Sequence, residues 1–532
     1  MSLNALTKRV FQNSQLQFQT DLEYPFQVQS EVLQSILQQN QKTEYGEKYS
    51  FSAIHDASEY VKYVPICDYE ALSLTIDNMT QGLPNLLTAQ KILAYEETGG
   101  SNGGRKKIPY TLAGLEAFQN GLVPWISDLY EHYPNLRDGK FYWAISPACR
   151  KAKLMPDGTP VGLEDAAYFG EDIGSEMLSK LAVPVQAGDI LNIDLWHEFT
   201  LFHLLKCESL SFISVWSPSF LIELLRFAVL KRESLAILIE QGEISDDQSL
   251  SAIQNRKRRS KLVLDELGKP EPSYCRIWGK LQVISCWDSA SATIGANTLR
   301  SLFPKANVQG KGLLATEALV TIPLIEYDHP VLALRSAFFE FIDSQGNIFR
   351  ADQLEKDNEY QLLITTHSGL YRYNIGDMVS VRGFAKRTPM LEFMGRSNAT
   401  SDICGEKLND AFVMKRIRAL EQSFAMLAPS LSKNSSSSCY VLLLDQSFTS
   451  EYQAVFLASA LDKSLSDNPQ YSYARQLGQL GPVVSVLCER PLECWLSEQV
   501  NNGQRLGDIK IPALLTNANW IRWAKNVYRD SL

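Results

Sequence analysis

Between positions 91 and 342, short apolar runs of strand length alternate with long stretches of helical spacing, and this alternation leaves few folds open. Residues 92–95 (Ile-Leu-Ala-Tyr) read as a short strand followed at once by glycines. Residues 112–130 carry apolar side chains three to four apart, as a helix does. Strand-like runs return at 141–145, 281–286, 312–315 and 331–342, and helical patterns fill 193–267. Strands interleaved with helices predict an α/β domain with a parallel or mixed sheet.

Near Thr365 the pattern turns hairpin-like. Residues 360–366 form a β-rich run, Ser368-Gly369 makes the turn, and 371–381 return with Gly376-Asp377 in the middle. After Gly395-Arg396 the chain restarts with helical text at 408–425, a strand at 440–444, a helix at 451–465 and a strand at 483–487. A chain of 532 residues exceeds what one core organises, so at least two domains are expected. The boundary is placed in the polar stretch 396–407: a large domain over 1–395, a hinge over 396–407 and a small α+β domain over 408–532.

Composition removes several classes of function. Hydrophobic residues make up 45% and charged residues 21%, which is globular rather than disordered. The formal net charge of -9 argues against a nucleic-acid surface, and the basic run Arg256-Lys257-Arg258-Arg259 reads as a solvated helix face. The nine cysteines are scattered with no C-x-x-C pair, which fits reduced thiols of a cytoplasmic protein. Residues 1–19 show no signal peptide, and the apolar stretch 212–230 is broken by Ser217, Pro218, Glu223 and Arg226. A soluble monomer with no membrane and no nucleic-acid partner is expected.

Five short segments could carry chemistry. The first, Glu97-Thr98-Gly99-Gly100-Ser101-Asn102-Gly103-Gly104-Arg105-Lys106-Lys107-Ile108-Pro109, has four glycines whose backbone N–H groups could converge on phosphate oxygens, with lysine charge beside them. It is not a Walker A loop, and alone it reads equally as a surface loop. The second, Gly312-Leu313-Leu314-Ala315-Thr316-Glu317, puts a carboxylate after an apolar run, where Glu317 could hold Mg²⁺ or be an ordinary surface group. The third runs from Thr365 through His367, Tyr371 and Arg372 to Asp377. Asp377 could accept from a ribose diol, or the segment is a hairpin of aromatic pairs, with His367 structural. The fourth joins Gly395-Arg396 to Gly405-Glu406-Lys407-Leu408. The last, Gly507-Asp508-Ile509-Lys510-Ile511-Pro512, carries a lysine that alone would pass for a surface cation.

In order and spacing, these five segments together resemble the adenylate-forming superfamily. The match is nearest to the Gretchen Hagen family of acyl acid–amido synthetases, and to its bacterial branch, through Glu97-Thr98, Leu313-Leu314-Ala315-Thr316-Glu317, Phe338-Phe339-Glu340-Phe341, Ser368-Gly369-Leu370-Tyr371-Arg372-Tyr373 and Gly405-Glu406-Lys407-Leu408. The resemblance covers nearly the whole chain. It implies a large domain of mixed sheets and helices with a β-barrel-like element, and a mobile small domain that rotates between half-reactions. It also implies ATP with Mg²⁺, release of AMP and pyrophosphate, a carboxylic acid substrate and an amine, an amino acid, as acceptor.

By the same resemblance, Thr98, Gly99, Gly100, Ser101 and Gly103 lie in the phosphate loop, with Lys106 as the loop's lysine. Thr316 and Glu317 meet the α-phosphate and the metal, Asp377 meets the ribose, and Arg396 reaches the nucleotide from the hinge. Lys510 neutralises the reacting phosphate, and Tyr371 and Arg372 join the nucleotide site. The loop departs from the family pattern at Gly99, Gly100 and Asn102, where hydroxyl donors are fewer. Trp196, Phe202, Trp216, Phe220 and Trp287 are expected as walls of an acyl pocket or as core.

Overall fold

A computed structural model describes residues 5–99, 105–144, 153–163, 168, 170–190, 192–243, 246, 249–289, 292–396, 400–403, 406–430, 438–477, 479–502, 504, 509–518 and 520–524. The chain divides into two compact units, one of residues 1–287, 299–375 and 380–392, the other of 288–298, 376–379 and 393–532.

The first unit is α/β, as the alternation predicts. Four strands, Lys140–Trp143, Leu210–Ser214, Val283–Cys286 and Asn307–Gly310, lie side by side in that order and all run parallel. Every residue of Leu210–Ser214 is buried. A strand covered on both faces has no alternation, which is why periodicity alone merges it with the helices around it. Those helices are Ile193–Lys206, Pro218–Leu230, Arg232–Gln241 and Leu250–Leu267. The expected helix near 112 runs from Leu112 to His132, capped by the Thr111 hydroxyl accepting from the Gly114 amide. Its Phe118, Leu122, Trp125, Ile126 and Leu129 build one core with Phe141, Phe212 and Val283 of the sheet.

Two expected strands differ. Residues 331–342 split into Val331–Leu332 and Phe338–Ile342, and 312–315 hold a single β-bridge, Leu314 to Leu319, instead of a strand. The expected barrel-like element is, among the described residues, an open sheet of seven strands. Its edges are Ile348–Arg350 and Thr321–Ile322, and strands of three and two residues offer too little backbone to close a ring.

The second unit is built on a three-stranded sheet: Ala425–Ser430, Cys439–Asp445 and Val484–Cys488, antiparallel then parallel. Alternation sorts its side chains into two layers. Leu427, Tyr440, Leu442 and Leu444 pack on helices Asp410–Arg418 and Glu451–Leu465. Met426, Ala428, Val441 and Leu443 pack on Trp495, Trp520 and Ile509. Gly395 has φ +131°, and a Cβ there would stand 2.9 Å from the Cα of Ala411, so only glycine lets the chain pass the start of helix Asp410–Arg418.

Candidate active site

The described ends of the glycine-rich segment lie in two paired strands. Ile92–Gly99 pairs antiparallel with Arg105–Thr111, with Thr98 opposite Lys106 and Gly99 opposite Arg105. Gly100, Ser101, Gly103 and the rest of 100–104 lie outside the described residues, as does the Thr98 side chain. The hairpin sorts the two lysines to opposite faces. Lys107 is engaged: its Nζ is 2.8 Å from Asp77 and its amide donates to the Tyr69 hydroxyl. Lys106 stands with its Nζ 5.8 Å from the centre of the Tyr69 ring. Behind the hairpin, Glu97 pairs with Lys153, and Glu96 accepts from the Leu163 amide at 2.7 Å.

Thr316 and Glu317 occupy the tip of a tight turn in which the Ala315 amide donates to the Ala318 carbonyl at 3.0 Å. The Tyr110 hydroxyl donates to the Thr316 carbonyl and ties that turn to the second hairpin strand. Glu317 is half-buried and lines a small cleft with Tyr110, Gly114, Phe118, His367 and Ser368. Burial, and then the Glu317 charge, push the Tyr373 hydroxyl up; that hydroxyl is buried with no hydrogen-bond partner. Burial also pulls His367 down to about 4, so its imidazole is neutral at pH 7, and its Nδ1 has no partner. His367 is a cleft residue that the sequence singled out only as a structural histidine.

Among the described residues no cluster of three His, Cys, Asp or Glu could hold a metal. Glu317 is a half-buried carboxylate at a turn tip. That donor set suits Mg²⁺, which keeps most of its waters and takes one or two carboxylates plus phosphate oxygens.

Tyr371 and Arg372 are placed differently from the nucleotide contacts expected of them. Tyr371 is fully buried, its ring stacked on Tyr45 at 4.8 Å and its hydroxyl donating to the Leu87 carbonyl. The Arg372 guanidinium grips Glu340 at 3.0 and 3.1 Å and donates to the Val64 carbonyl at 2.8 Å, with both side chains of the pair buried. Burial outweighs the Arg372 charge and raises the Glu340 carboxyl. Both residues fasten the hairpin to the N-terminal helices.

Asp377 follows Gly376, at φ +80°, within the strand Tyr373–Ala385 and is buried. Arg396 ends the strand Thr388–Arg396, its side chain outside the described residues. Lys510 is exposed, its Nζ 6.0 Å from the Phe393 ring centre, between the buried Ile509 and the partly buried Ile511. What fixes this segment is Asp410, which the sequence did not flag. Its Oδ1 accepts from the amides of Ala513 and Leu514 at 2.9 Å each, while the Leu427 amide donates to the Ala513 carbonyl and the Leu515 amide to the Leu427 carbonyl, which adds 513–515 to the small sheet. Glu406 is fully buried and accepts from the Ile403 amide and the Tyr440 hydroxyl, which makes it a structural anchor.

Of the expected pocket walls, Trp196, Phe202 and Phe220 are core, and Trp216 and Trp287 are half-buried, 5.8 Å apart. No helix among the described residues is long and apolar enough to cross a membrane.

Three family models match in succession: the GH3 family N-terminal domain over 15–308, its central domain over 330–396 and its C-terminal domain over 410–519. The chain is 24% identical over 445 residues to indole-3-acetic acid-amido synthetase GH3.4 of Arabidopsis thaliana, covering 76% of this chain and 72% of that one. It is 23% identical to jasmonoyl--L-amino acid synthetase JAR6 of Nicotiana attenuata, covering 70% and 69%. Among solved structures, AtGH3.15 acyl acid amido synthetase in complex with 2,4-DB shares the fold with a TM-score of 0.83 at 18% identity, over 98% of this chain and 96% of that one.

Proposed function

The chain belongs to the GH3 family, and on that premise we propose that it is an acyl acid amido synthetase, which activates a carboxylic acid with ATP and conjugates it to an amino acid. The observation that carries the reading is the turn Ala315–Ala318, which presents Thr316 and the Glu317 carboxylate at a cleft held by the glycine-rich hairpin through Tyr110.

In the first half-reaction an oxygen of the acid attacks the α-phosphorus of ATP, the bond to pyrophosphate breaks, and an acyl-AMP forms. In the second, the amine nitrogen attacks the acyl carbon, the anhydride C–O bond breaks, AMP leaves and the amine gives up a proton. Negative charge gathers on the phosphate in the first step, so positioned cations and donors lower its barrier. We assign that work to the loop 98–104 with Lys106, to Thr316 and to Lys510. Glu317 would hold Mg²⁺, which would supply positive charge to the phosphates when bound. Asp377 takes the ribose and Arg396 the nucleotide, while Tyr371 and Arg372 position the hairpin without touching it. The segments 1–395, 396–407 and 408–532 are proposed as catalytic domain, hinge and mobile domain, in a soluble cytoplasmic monomer.

The test is ATP, Mg²⁺ and a panel of carboxylic acids with hydroxylamine or an amino acid as acceptor. Hydroxamate and amide with release of AMP are expected. Product formed only with a thiol acceptor would overturn the amide assignment, and no pyrophosphate release with any acid would overturn adenylation.

A further inference from the structure

Lys510 stands between Ile509, which is fully buried, and Ile511, which is partly buried, and both pack into the layer of the small sheet that holds Met426, Val441 and Leu443. With its neighbours drawn inward on both sides, the lysine side chain is left exposed. Three residues on, Asp410 and the backbone of Leu427 hold 513–515. Between these anchors the Lys510 carbonyl has a partner of its own: the indole Nε1–H of Trp495 donates to it at 3.2 Å.

Trp495 comes from the helix Pro491–Asn501, whose first turn opens on Pro491, where the missing N–H costs nothing. Its ring is buried in the same layer as Ile509, and the Trp523 ring meets it edge-on, 5.4 Å between centres at 66°. An indole N–H only donates, and it is rigid with its ring. Once packing fixes the ring, the direction of the N–H is fixed, and so is the place of the carbonyl that accepts it. Apolar filling alone would be met by phenylalanine or leucine. The indole adds a directional contact, and that contact falls on the backbone of the one residue in 509–515 to which chemistry is assigned. The long lysine side chain can reach for a phosphate, but its backbone sets the point from which it reaches. A displacement of about 1 Å in such a support can cost roughly a hundredfold in rate.

We propose that Trp495 is a positioning residue for adenylation: its indole N–H fixes the Lys510 backbone, so that the ammonium is delivered to the phosphate in the first half-reaction. This rests on the amido synthetase reading and on the role given to Lys510 within it. Trp495 touches no substrate and acts through Lys510 alone. Its effect therefore belongs to the step in which the acid attacks ATP, and the attack of the amine on a finished acyl-AMP does not need it.

The experiment separates the two half-reactions. Trp495→Phe keeps a ring and removes the N–H; Trp495→Met, which fills space without a donor, serves where Trp495→Phe does not fold. Leu496→Ala is the structural control, a packing loss on the same helix, in the same layer, that leaves the indole in place. These variants, Lys510→Ala, and Lys510→Ala combined with Trp495→Phe are compared in the full chain. Acid-dependent ATP–pyrophosphate exchange with a panel of carboxylic acids reads the first half-reaction, and aminolysis of separately prepared acyl-AMP reads the second. Trp495→Phe should lower the kcat of exchange roughly 3- to 10-fold, with the KM for ATP and the rate of aminolysis unchanged. Leu496→Ala should lower the melting temperature at least as far and leave the kcat of exchange unchanged. On the Lys510→Ala background, Trp495→Phe should lower exchange no further, because nothing is left for it to act through.

Exchange at full rate in Trp495→Phe, equal losses in exchange and aminolysis, or a further loss on the Lys510→Ala background each overturn the proposal while leaving adenylation standing. If no acid supports exchange in the wild type, the amido synthetase reading itself fails, and the role of Trp495 fails with it.

Discussion

Replacing Asp410 by alanine tests how the Lys510 segment is held. Asp410 is buried, and one of its oxygens accepts from both the Ala513 and Leu514 amides at 2.9 Å. Alanine removes that acceptor and leaves two buried N–H groups without it. At about 1–3 kcal/mol per unsatisfied donor, the cost is roughly 2–6 kcal/mol, largest if no water enters. The loss falls on residues 513–515, which join the small sheet beside Leu427 only three residues after Lys510. Asp410→Ala should therefore lower the denaturation midpoint and, in the folded enzyme, cut the kcat of ATP–pyrophosphate exchange at least tenfold with the KM for ATP little changed. Asp410→Asn keeps an acceptor oxygen and should recover most of the stability. Lys510→Ala, whose side chain is exposed, should lose exchange without losing stability. The reasoning is refuted if Asp410→Ala melts within a degree or two of wild type, or if it exchanges at full rate.

Other outcomes follow from particular contacts. Arg372→Met leaves the buried Glu340 carboxyl without its partner and should cost about 3–5 kcal/mol in urea unfolding, whereas Arg372→Met with Glu340→Leu should recover most of that loss. His367, pulled down to about 4 by burial, stays neutral in the fold while the unfolded chain protonates near 6.5. Stability is then fully present above pH 6.5 and lost as pH falls toward 4, by up to about 3 kcal/mol; His367→Gln should flatten that slope in unfolding measured at stepped pH. Gly395→Ala forces a Cβ to 2.9 Å from the Ala411 Cα at φ +131° and should destabilise by roughly 1–3 kcal/mol by chemical denaturation. Glu317→Gln should raise the Mg²⁺ concentration needed for half-maximal exchange by tenfold or more, with the melting temperature unchanged.

Much of the fold was legible because its elements follow one rule each. The helix Glu451–Leu465 lies where apolar spacing and the Ser450 cap place it, its hydroxyl accepting from the Gln453 amide. The strand Leu210–Ser214 was hidden for the opposite reason, since a strand buried on both faces carries no alternation. Residues 312–315 read as a strand because they are apolar, yet Gly312 sits at φ +73° against the Thr321 carbonyl, and the segment only bridges to its own return. Local pattern reports burial; pairing depends on partners far along the chain.

The same distinction governs the candidate site. Motif order marked the positions, but it could not separate residues facing a cleft from residues holding the walls. Tyr371 and Arg372 carry the most polar text of the hairpin, and their side chains are buried against Tyr45, Leu87 and Glu340, partners 32 to 326 positions away. Asp410 is an unremarkable first-turn acid in sequence, favourable to any helix N-terminus, and its second task appears only once Ala513 and Leu514 return to it across 103 and 104 residues. Lys311 is the sharpest case. It stands between two glycines in sequence, yet the fold brings it three indoles, Trp125 from the helix Leu112–His132, Trp143 from a strand end and Trp216 from just past the next strand. A charge acquires its role from what the sheet and the helices packed on it bring beside it, and in a parallel sheet those neighbours come from separate crossovers.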